Sequence, residues 1–182
     1  MPDTLARAPE VRPATGARSV DIGPGLTVLS PLTVTAEVAG FDVTVTVEPD
    51  AGRLVATDLT VRRRPDGPRI TAERLRDVLI GDLVRAAGRL VESTLDPESG
   101  QYRTPDDLDS ENTARLVASG PTEETLDVVA YCYRLAMALG DAPVKSIVET
   151  FRIPRSTAGR WVTAARARGY LGAAEGPGLA GV

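Results

Sequence analysis

The stretch LTVTAEVAGFDVTVTVE, from Leu32 to Glu48, decides the fold of the N-terminal half of the chain. Apolar and polar residues alternate on both sides of Ala39-Gly40, and a period of two is typical of a strand with one buried face. The central Ala-Gly pair favours a tight turn. The stretch therefore predicts a β-hairpin whose inward residues are Leu32, Val34, Ala36 and Val38 on one strand and Val43, Val45 and Val47 on the other.

Flanking residues extend this hairpin into an antiparallel meander. The turn-forming residues EPDAGR (48–53) precede a third predicted strand over about 54–63, with Val55, Leu59 and Val61 pointing inward. A fourth strand is an option near 20–28. Residues 1–20 are rich in Pro, Ala, Arg and Gly without periodicity, which predicts a flexible lead-in.

A helix is predicted next, over 72–93, with Thr71 as its N-cap. Because a three-stranded sheet with one polar face is marginal alone, we expect this helix to pack across the apolar face. Residues 21–94 would then form a small α+β domain. The predicted apolar stripe consists of Leu75, Leu79, Leu83, Ala87 and Leu90, widened by Val78, Val84 and Val91.

An acidic linker is predicted over residues 95–120. Between Glu92 and Asp127 the chain carries ten acidic residues against two basic ones, Arg103 and Arg115. The stretch DPESGQYRTPDDLDSEN has turn-forming residues and no period, which indicates exposed chain. Its acidic clusters lack the ligand spacing of an EF-hand loop, so no metal site is predicted.

Composition excludes several classes of function. The chain has no histidine and a single cysteine, Cys132, which excludes Ser-His triads, His-containing zinc sites and an intrachain disulfide. We find no phosphate-binding glycine loop or nucleophile elbow, so we expect no enzyme, no catalytic residue and no cofactor. No stretch approaches the roughly 20 apolar residues of a membrane helix, so we expect a cytoplasmic protein with no membrane partner. The bias toward Ala, Gly, Pro, Arg and Val is typical of a GC-rich genome, such as an actinobacterial one.

Three helices are predicted in the C-terminal part, residues 121–182. The first follows Thr122 as N-cap and stops at Gly140. The second has Pro143 in its first turn and ends near Phe151. After the break RIPRS, the third helix spans about 156–168. It is capped by Ser156 or Thr157, and its buried stripe would consist of Ala158, Trp161 or Val162, and Ala165.

The stretch VKSIVETFRIPRSTAGRWVTAARARGYL, residues 144–171, resembles the helix-turn-helix of bacterial transcription regulators, in which a pattern of the type ALGVSRSTVxRWVxxARxxGYL is common. The resemblance implies a trihelical DNA-binding domain over 121–182. RARGYL also resembles the entry into the first strand of a winged-helix domain, with a hairpin near 176–178. Many such motifs have Gly in the turn where this chain has Arg152, and Gly adopts positive φ without a Cβ clash. Core positions implied by the resemblance are Ile147, Phe151, Ile153, Ala158 and Trp161.

Helix-turn-helix docking places the N-terminal end of the second helix in the major groove, which assigns the candidate DNA-binding residues. Arginine binds guanine O6 and N7 through two hydrogen bonds, and other basic residues neutralise phosphates. The candidates for base edges or nearby phosphates are Arg155, Ser156, Thr157 and Arg160, with Thr163 on the same exposed side as Arg160. The candidates for phosphates are Lys145, Arg152, Arg166 and Arg168.

The sequence thus predicts a sequence-specific DNA-binding regulator, associated with the nucleoid, that binds double-stranded DNA as a homodimer. The N-terminal domain would serve self-association or bind a protein or small ligand. An alternative is a protein-interaction or assembly factor of phage or mobile-element type. In that alternative the C-terminal helices dock a protein partner. A third possibility is that the arginine-covered surface packs on the acidic linker and contacts no DNA.

Overall fold

The computed structural model describes residues 8–96, 101–103 and 108–172 and has an α+β fold. Its antiparallel sheet consists of β1 (Glu10–Gly23), β2 (Leu26–Val38), β3 (Phe41–Asp50), β4 (Arg53–Arg63), β5 (Val91–Asp96) and β6 (Gln101–Arg103). Its helices are α1 (Ala72–Leu75), α2 (Ile80–Ala87), α3 (Ser110–Ser119), α4 (Glu123–Ala138), α5 (Pro143–Phe151) and α6 (Arg155–Ala167), and a 3-10 turn spans Gly88–Leu90.

Strands β2 and β3 confirm the predicted hairpin. They pair in register from Leu32 opposite Val47 to Val38 opposite Phe41, and Ala39 and Gly40 both adopt positive φ in the turn. Such a turn matches the right-handed twist of the flanking strands. The apolar residues of the alternation are buried, except that Ala36 is half-buried against the core.

Strand β4 confirms the third predicted strand, but part of its predicted inward face is wrong. The β3–β4 register slips between Thr46 and Val47, which leaves Thr57 as an extra residue in β4. Because one extra residue reverses the alternation of faces, Val55 lies opposite the outward Glu48. Leu54 is the fully buried residue of β4 instead, and Leu59 is 42% exposed on this outer strand of the sheet.

Strand β1 shows that the predicted flexible lead-in is wrong from Glu10 onward. The strand pairs antiparallel with β2 from Glu10 opposite Thr35 to Gly23 opposite Leu26. Ile22 is its one buried side chain, so backbone hydrogen bonding to β2, rather than side-chain burial, holds β1 in place. An apolar pattern in the sequence therefore could not reveal it. Residues 1–7 lie outside the described residues.

The single helix predicted over 72–93 is also wrong. It ends at Leu75 and restarts at Ile80 as α2, which packs on β2, β3 and β4 through Leu83, Val84, Ala86 and Ala87. The chain then leaves the helix, because Val91 begins β5, which pairs with the start of β2. Gly88 marks the exit: a Cβ there would lie 2.9 Å from Cδ1 of Leu139, the C-cap residue of α4, so a side chain at this position would require Leu139 to shift.

Helix α3 lies inside the predicted acidic linker, which is therefore wrong over Ser110–Ser119. Asp109 caps the helix by accepting a hydrogen bond from the amide of Asn112 at 2.7 Å. The buried side chains of α3 are Thr113 and Leu116. An amphipathic helix needs only such a narrow apolar stripe. Residues 97–100 and 104–107 of the predicted linker lie outside the described residues.

Helices α4, α5 and α6 confirm the predicted C-terminal helices. Thr122 caps α4 as predicted, and Pro143 is in the first turn of α5. The predicted cap of α6 is wrong: Pro154 precedes the helix, and its carbonyl accepts hydrogen bonds from the amides of Thr157 and Ala158. The residues of the predicted C-terminal wing after Gly172 lie outside the described residues. Along the described part of the chain, no helix is both long and apolar enough to cross a membrane.

One cluster of buried side chains runs through the sheet and the helices. Helix α4 joins the two parts, because it contacts β1, β4 and β5 as well as α3, α5 and α6. The hydroxyl of its Tyr131 donates a hydrogen bond to the carbonyl of Val91 in β5 at 3.5 Å. Such a continuous core favours cooperative unfolding of both parts together.

The variant Leu32→Ala tests this continuity. Leu32 is 1% exposed in β2, and truncation should lower the free energy of unfolding by about 2 to 5 kcal/mol. Trp161 is the single tryptophan and lies in α6, so its fluorescence reports unfolding of the helical part. In urea, we expect the fluorescence and circular dichroism transitions to coincide and to shift together in the variant. A fluorescence midpoint that does not move would show two independent folding units.

Candidate nucleic-acid interface

A three-residue turn joins α5 to α6. Arg152 ends α5 in the left-handed conformation, with φ 52° and ψ 39°. Ile153 turns back into the core and is 7% exposed, and Pro154 precedes the first turn of α6. The structure therefore places Arg152 in the left-handed conformation that Gly would adopt at lower cost.

Helix α6 is held by one apolar face. Ala158 and Ala165 are buried as predicted, and Trp161 and Val162, which the sequence offered as alternatives, are both buried. The ring of Trp161 meets the ring of Phe151 from α5 edge-to-face, with centroids 5.8 Å apart and planes at 85°. This geometry is a favourable one for aromatic pairs. Trp161 is thus part of the core, and the opposite face of α6 is left to solvent.

The exposed face of α6 carries the residues predicted to meet bases. Ser156, Arg160 and Thr163 recur at helical spacing and are exposed, while Thr157 is half-buried. A guanidinium nitrogen of Arg160 donates to Oγ1 of Thr157 at 3.3 Å, and Oγ1 of Thr163 donates to the carbonyl of Gly159 at 3.0 Å. Arg155 lies in the first turn, toward the flank of this face, and its side chain forms no hydrogen bond or ion pair with any described residue.

Three of the residues predicted to contact phosphates have exposed side chains. Arg152 lies in the turn, and Lys145 faces Glu149 across one turn of α5, with Nζ 3.6 Å from Oε1. Both partners of that pair are largely exposed, so the pair is weak and leaves Lys145 available to another anion. Arg168, at the end of α6, donates to the carbonyl of Pro121 at 3.3 Å.

The structure separates Arg166 from the exposed set. It is half-buried, and its Nε donates to the carbonyl of Gly172 at 3.2 Å. A terminal nitrogen donates to the Tyr133 hydroxyl at 2.9 Å, and the guanidinium carbon lies 5.0 Å from the centroid of the same ring. These contacts fasten the end of α6 to α4. The geometry thus argues against the predicted phosphate contact of Arg166 and for a role in packing.

Arg134 is a second internal arginine, which the sequence reasoning missed. It projects from the largely buried helix α4 and donates to the carbonyl of Tyr170 at 3.0 Å. Burial lowers the pKa of its guanidinium, while the negative charge of Asp127 acts in the opposite direction. The signal in the sequence was a single basic residue within the apolar run of α4.

Local charge on this part of the molecule is strongly positive. Residues 142–172 contain six basic residues and one acidic residue, Glu149. The described acidic side chains that form ion pairs with arginine do so elsewhere, as Glu124 does with Arg115 and Asp141 with Arg85. Hydrogen bonding to Glu124 raises the pKa of Arg115, and the negative charge of Glu124 acts in the same direction. The exposed end of α6 is therefore suited to an anionic partner.

A groove lies beside the turn. The sequence reasoning missed it because one of its walls is α3, a helix that the sequence did not predict. It has a volume of about 310 Å³ and lies between α3 and the end of α5. Its lining is mostly small or apolar, so it offers little specific polar chemistry. The lining residues are Ser110, Thr113, Ala114, Val117, Ala118, Phe151 and Arg152.

Comparison with known proteins adds no assignment. No protein-family model, no curated protein and no solved structure matches the chain. The functional argument therefore rests on this geometry: an α+β protein presents the first turns of an arginine-bearing helix to solvent.

The turn yields a stability prediction. Arg152→Gly should raise the free energy of unfolding by about 1 kcal/mol, because Gly adopts the left-handed conformation without a Cβ clash. Arg160→Gly is the matched control inside α6, where Gly should lower stability by about 1 kcal/mol. Urea denaturation of both variants checks the opposite signs. Equal losses in the two variants would contradict a strained turn.

Substitution of Arg166 by Ala should lower stability more than the same substitution of Arg155. Arg166→Ala should lower the free energy of unfolding by about 1 to 2 kcal/mol, because it removes two hydrogen bonds and a cation–π contact. Arg155→Ala should change stability by less than about 0.5 kcal/mol. Urea denaturation followed by Trp161 fluorescence measures both changes. A neutral Arg166→Ala would return this residue to the candidate DNA contacts.

Proposed function

We propose that the chain is a sequence-specific DNA-binding protein, a transcriptional regulator of the helix-turn-helix type that reads the major groove with α6. One observation carries the proposal: the exposed face of α6 bears Arg160 next to a free Arg155, and no acidic side chain neutralises either one among the described residues. The protein acts by binding, without catalysis.

The dimensions of α6 suit the major groove. An α-helix with its side chains is about 10–12 Å wide, and the major groove of B-DNA is about 12 Å wide. Both helices of the motif have their apolar faces buried, so the end of α6 enters the groove without exposing core residues. The short side chain of Ser156 and the absence of one at Gly159 let the backbone approach the DNA closely.

Helical phase separates the roles of the two leading arginines. Arg160 lies at the centre of the exposed face with Ser156 and Thr163, so it is the base reader, through guanine O6 and N7. Arg155 lies on the flank in the first turn, so it contacts phosphate. Lys145 on α5, Arg152 in the turn and Arg168 after α6 are also exposed and contribute further phosphate contacts.

The test begins with selection of bound fragments from a random duplex pool by the full chain. Fluorescence anisotropy on the selected duplex then compares two variants. Arg160→Ala should lose about 1 to 3 kcal/mol of discrimination at one base pair. Arg155→Ala should weaken binding to all duplexes alike and reduce the slope of log K against log salt by about 1.

Arg62→Ala is the matched control for this experiment. Arg62 is an exposed arginine on β4 that forms no ion pair with any described residue, and its removal should leave DNA affinity unchanged. Equal losses in all three variants would indicate nonspecific attraction alone. If no duplex is retained at low salt and α6 instead binds a protein, the protein-docking alternative replaces this proposal.

A further inference from the structure

A hydrogen bond within α6 restricts the side chain of Arg160, the proposed base reader. Nη2 of Arg160 donates to Oγ1 of Thr157 at 3.3 Å. Residues three apart in a helix are neighbours on its surface, and helical side chains lean toward the N-terminus of the helix. The contact therefore holds the guanidinium over the first turn of α6, which is the end that would enter the major groove.

Thr157 is better suited to hold another side chain than to contact DNA itself. It is half-buried, whereas Ser156 and Arg160 are exposed. Its branched Cβ also restricts rotation about χ1, so its hydroxyl oxygen has a defined position. Thr157 is thus a short, stiff acceptor for the long and flexible side chain of Arg160.

The hydrogen bond leaves Arg160 able to bind a guanine. A guanidinium carries five N–H donors, and the contact with Thr157 uses one of them. Guanine presents N7 and O6 as acceptors in the major groove, and bidentate binding needs a donor for each. Arg160 therefore loses rotational freedom through this contact without losing its capacity to read a base.

We infer that Thr157 is a positioning residue for base readout: it fixes the guanidinium of Arg160 before DNA binds. This role rests on the proposed function, and it replaces the predicted direct contact between Thr157 and DNA. Immobilising a long side chain at an interface lowers affinity by about 2- to 10-fold. Because Thr157 restricts Arg160 in the free protein, much of that loss does not arise on binding.

Thr157→Val is the decisive variant, because it removes the hydroxyl and keeps a branched side chain of similar size. The urea midpoint should not change, since Thr157 is only half-buried in α6. Thr163→Val is the matched control in the same helix, where the hydroxyl of Thr163 donates to the carbonyl of Gly159 and not to an arginine. Thr157→Ser retains a hydroxyl and should behave as the wild type.

Nuclear magnetic resonance tests the hydrogen bond on the full chain without DNA. In the wild type, the Nε order parameter of Arg160 should exceed that of Arg155, whose side chain has no hydrogen bond to a described residue. In Thr157→Val, the value for Arg160 should fall to that of Arg155. Equal order parameters for the two arginines in the wild type would overturn the inference, whatever the protein binds.

Fluorescence anisotropy then tests the effect on readout. It compares the selected duplex with one altered at the base pair that Arg160→Ala identifies. Thr157→Val should lower the preference between these duplexes by about 2- to 10-fold, with an unchanged slope of log K against log salt. Thr163→Val should match the wild type.

A double-mutant cycle separates positioning from direct contact. In an Arg160→Ala background, Thr157→Val should have no further effect, because there is no guanidinium left to position. A loss that persists in that background would show that Thr157 contacts DNA itself and would overturn the positioning role. An unchanged preference in Thr157→Val alone would also overturn it. A wild type that retains no duplex would instead refute the proposed function, and the readout role of Thr157 with it.

Discussion

Burial of helix α4 on nearly all sides is the constraint on which the rest of the structure depends. Ten of its sixteen residues are buried, including the unbroken run from Val128 to Tyr133. A helix that is apolar around its circumference must be covered around its circumference. The sheet covers one side through β1, β4 and β5, while α3, α5 and α6 cover the others. The two parts of the chain are thus held together by their shared need to bury α4.

The same constraint determines what α6 shows to solvent. Trp161 and its neighbours pack on α4 and α5, and Arg166 and Arg134 tie the end of α6 to α4 through Tyr133 and Tyr170. With one face and one end of the helix held, only the opposite side of its first two turns, with Arg155, Ser156 and Arg160, is left to solvent. The left-handed Arg152 permits the sharp change of direction before them, so a locally unfavourable conformation is retained because the surrounding packing requires it.

Local sequence patterns predicted those strands and helices whose buried side chains recur at the regular spacing of a strand or a helix. Alternation in Leu32–Glu48 and helical spacing in α4, α5 and α6 were sufficient because in each the apolar period matches the buried face. The remaining elements depend on contacts distant in sequence. Strand β1 is held by backbone pairing, and the extra residue Thr57 reverses a face without changing composition. The break before α2 follows from contacts with the sheet that no local spacing encodes.

For the candidate site, the sequence predicted which residues of α6 are exposed. It did not predict that Arg166 forms internal contacts while the other arginines stay exposed. The sequence alone does not distinguish the five arginines of residues 151–171, yet the guanidinium of Arg166 donates hydrogen bonds to Tyr133 and Gly172. Only tertiary contacts distinguish Arg166 from the other four arginines, because its partner Tyr133 belongs to another helix. Arg134, which the sequence did not single out, donates to the carbonyl of Tyr170 and likewise depends on a contact distant in sequence.

Net charge and local charge give opposite indications for this chain, and the structure explains which one matters. The formal net charge is −4, but charges separated by more than a Debye length of about 8–10 Å are largely screened in physiological salt. A phosphate near α6 therefore responds mainly to the nearest exposed groups, Arg155 and Arg160, rather than to the total. With Arg166 used internally, five exposed basic residues remain in residues 142–172 of one copy. For the proposed DNA binding, a second copy reading a second half-site would add to the affinity.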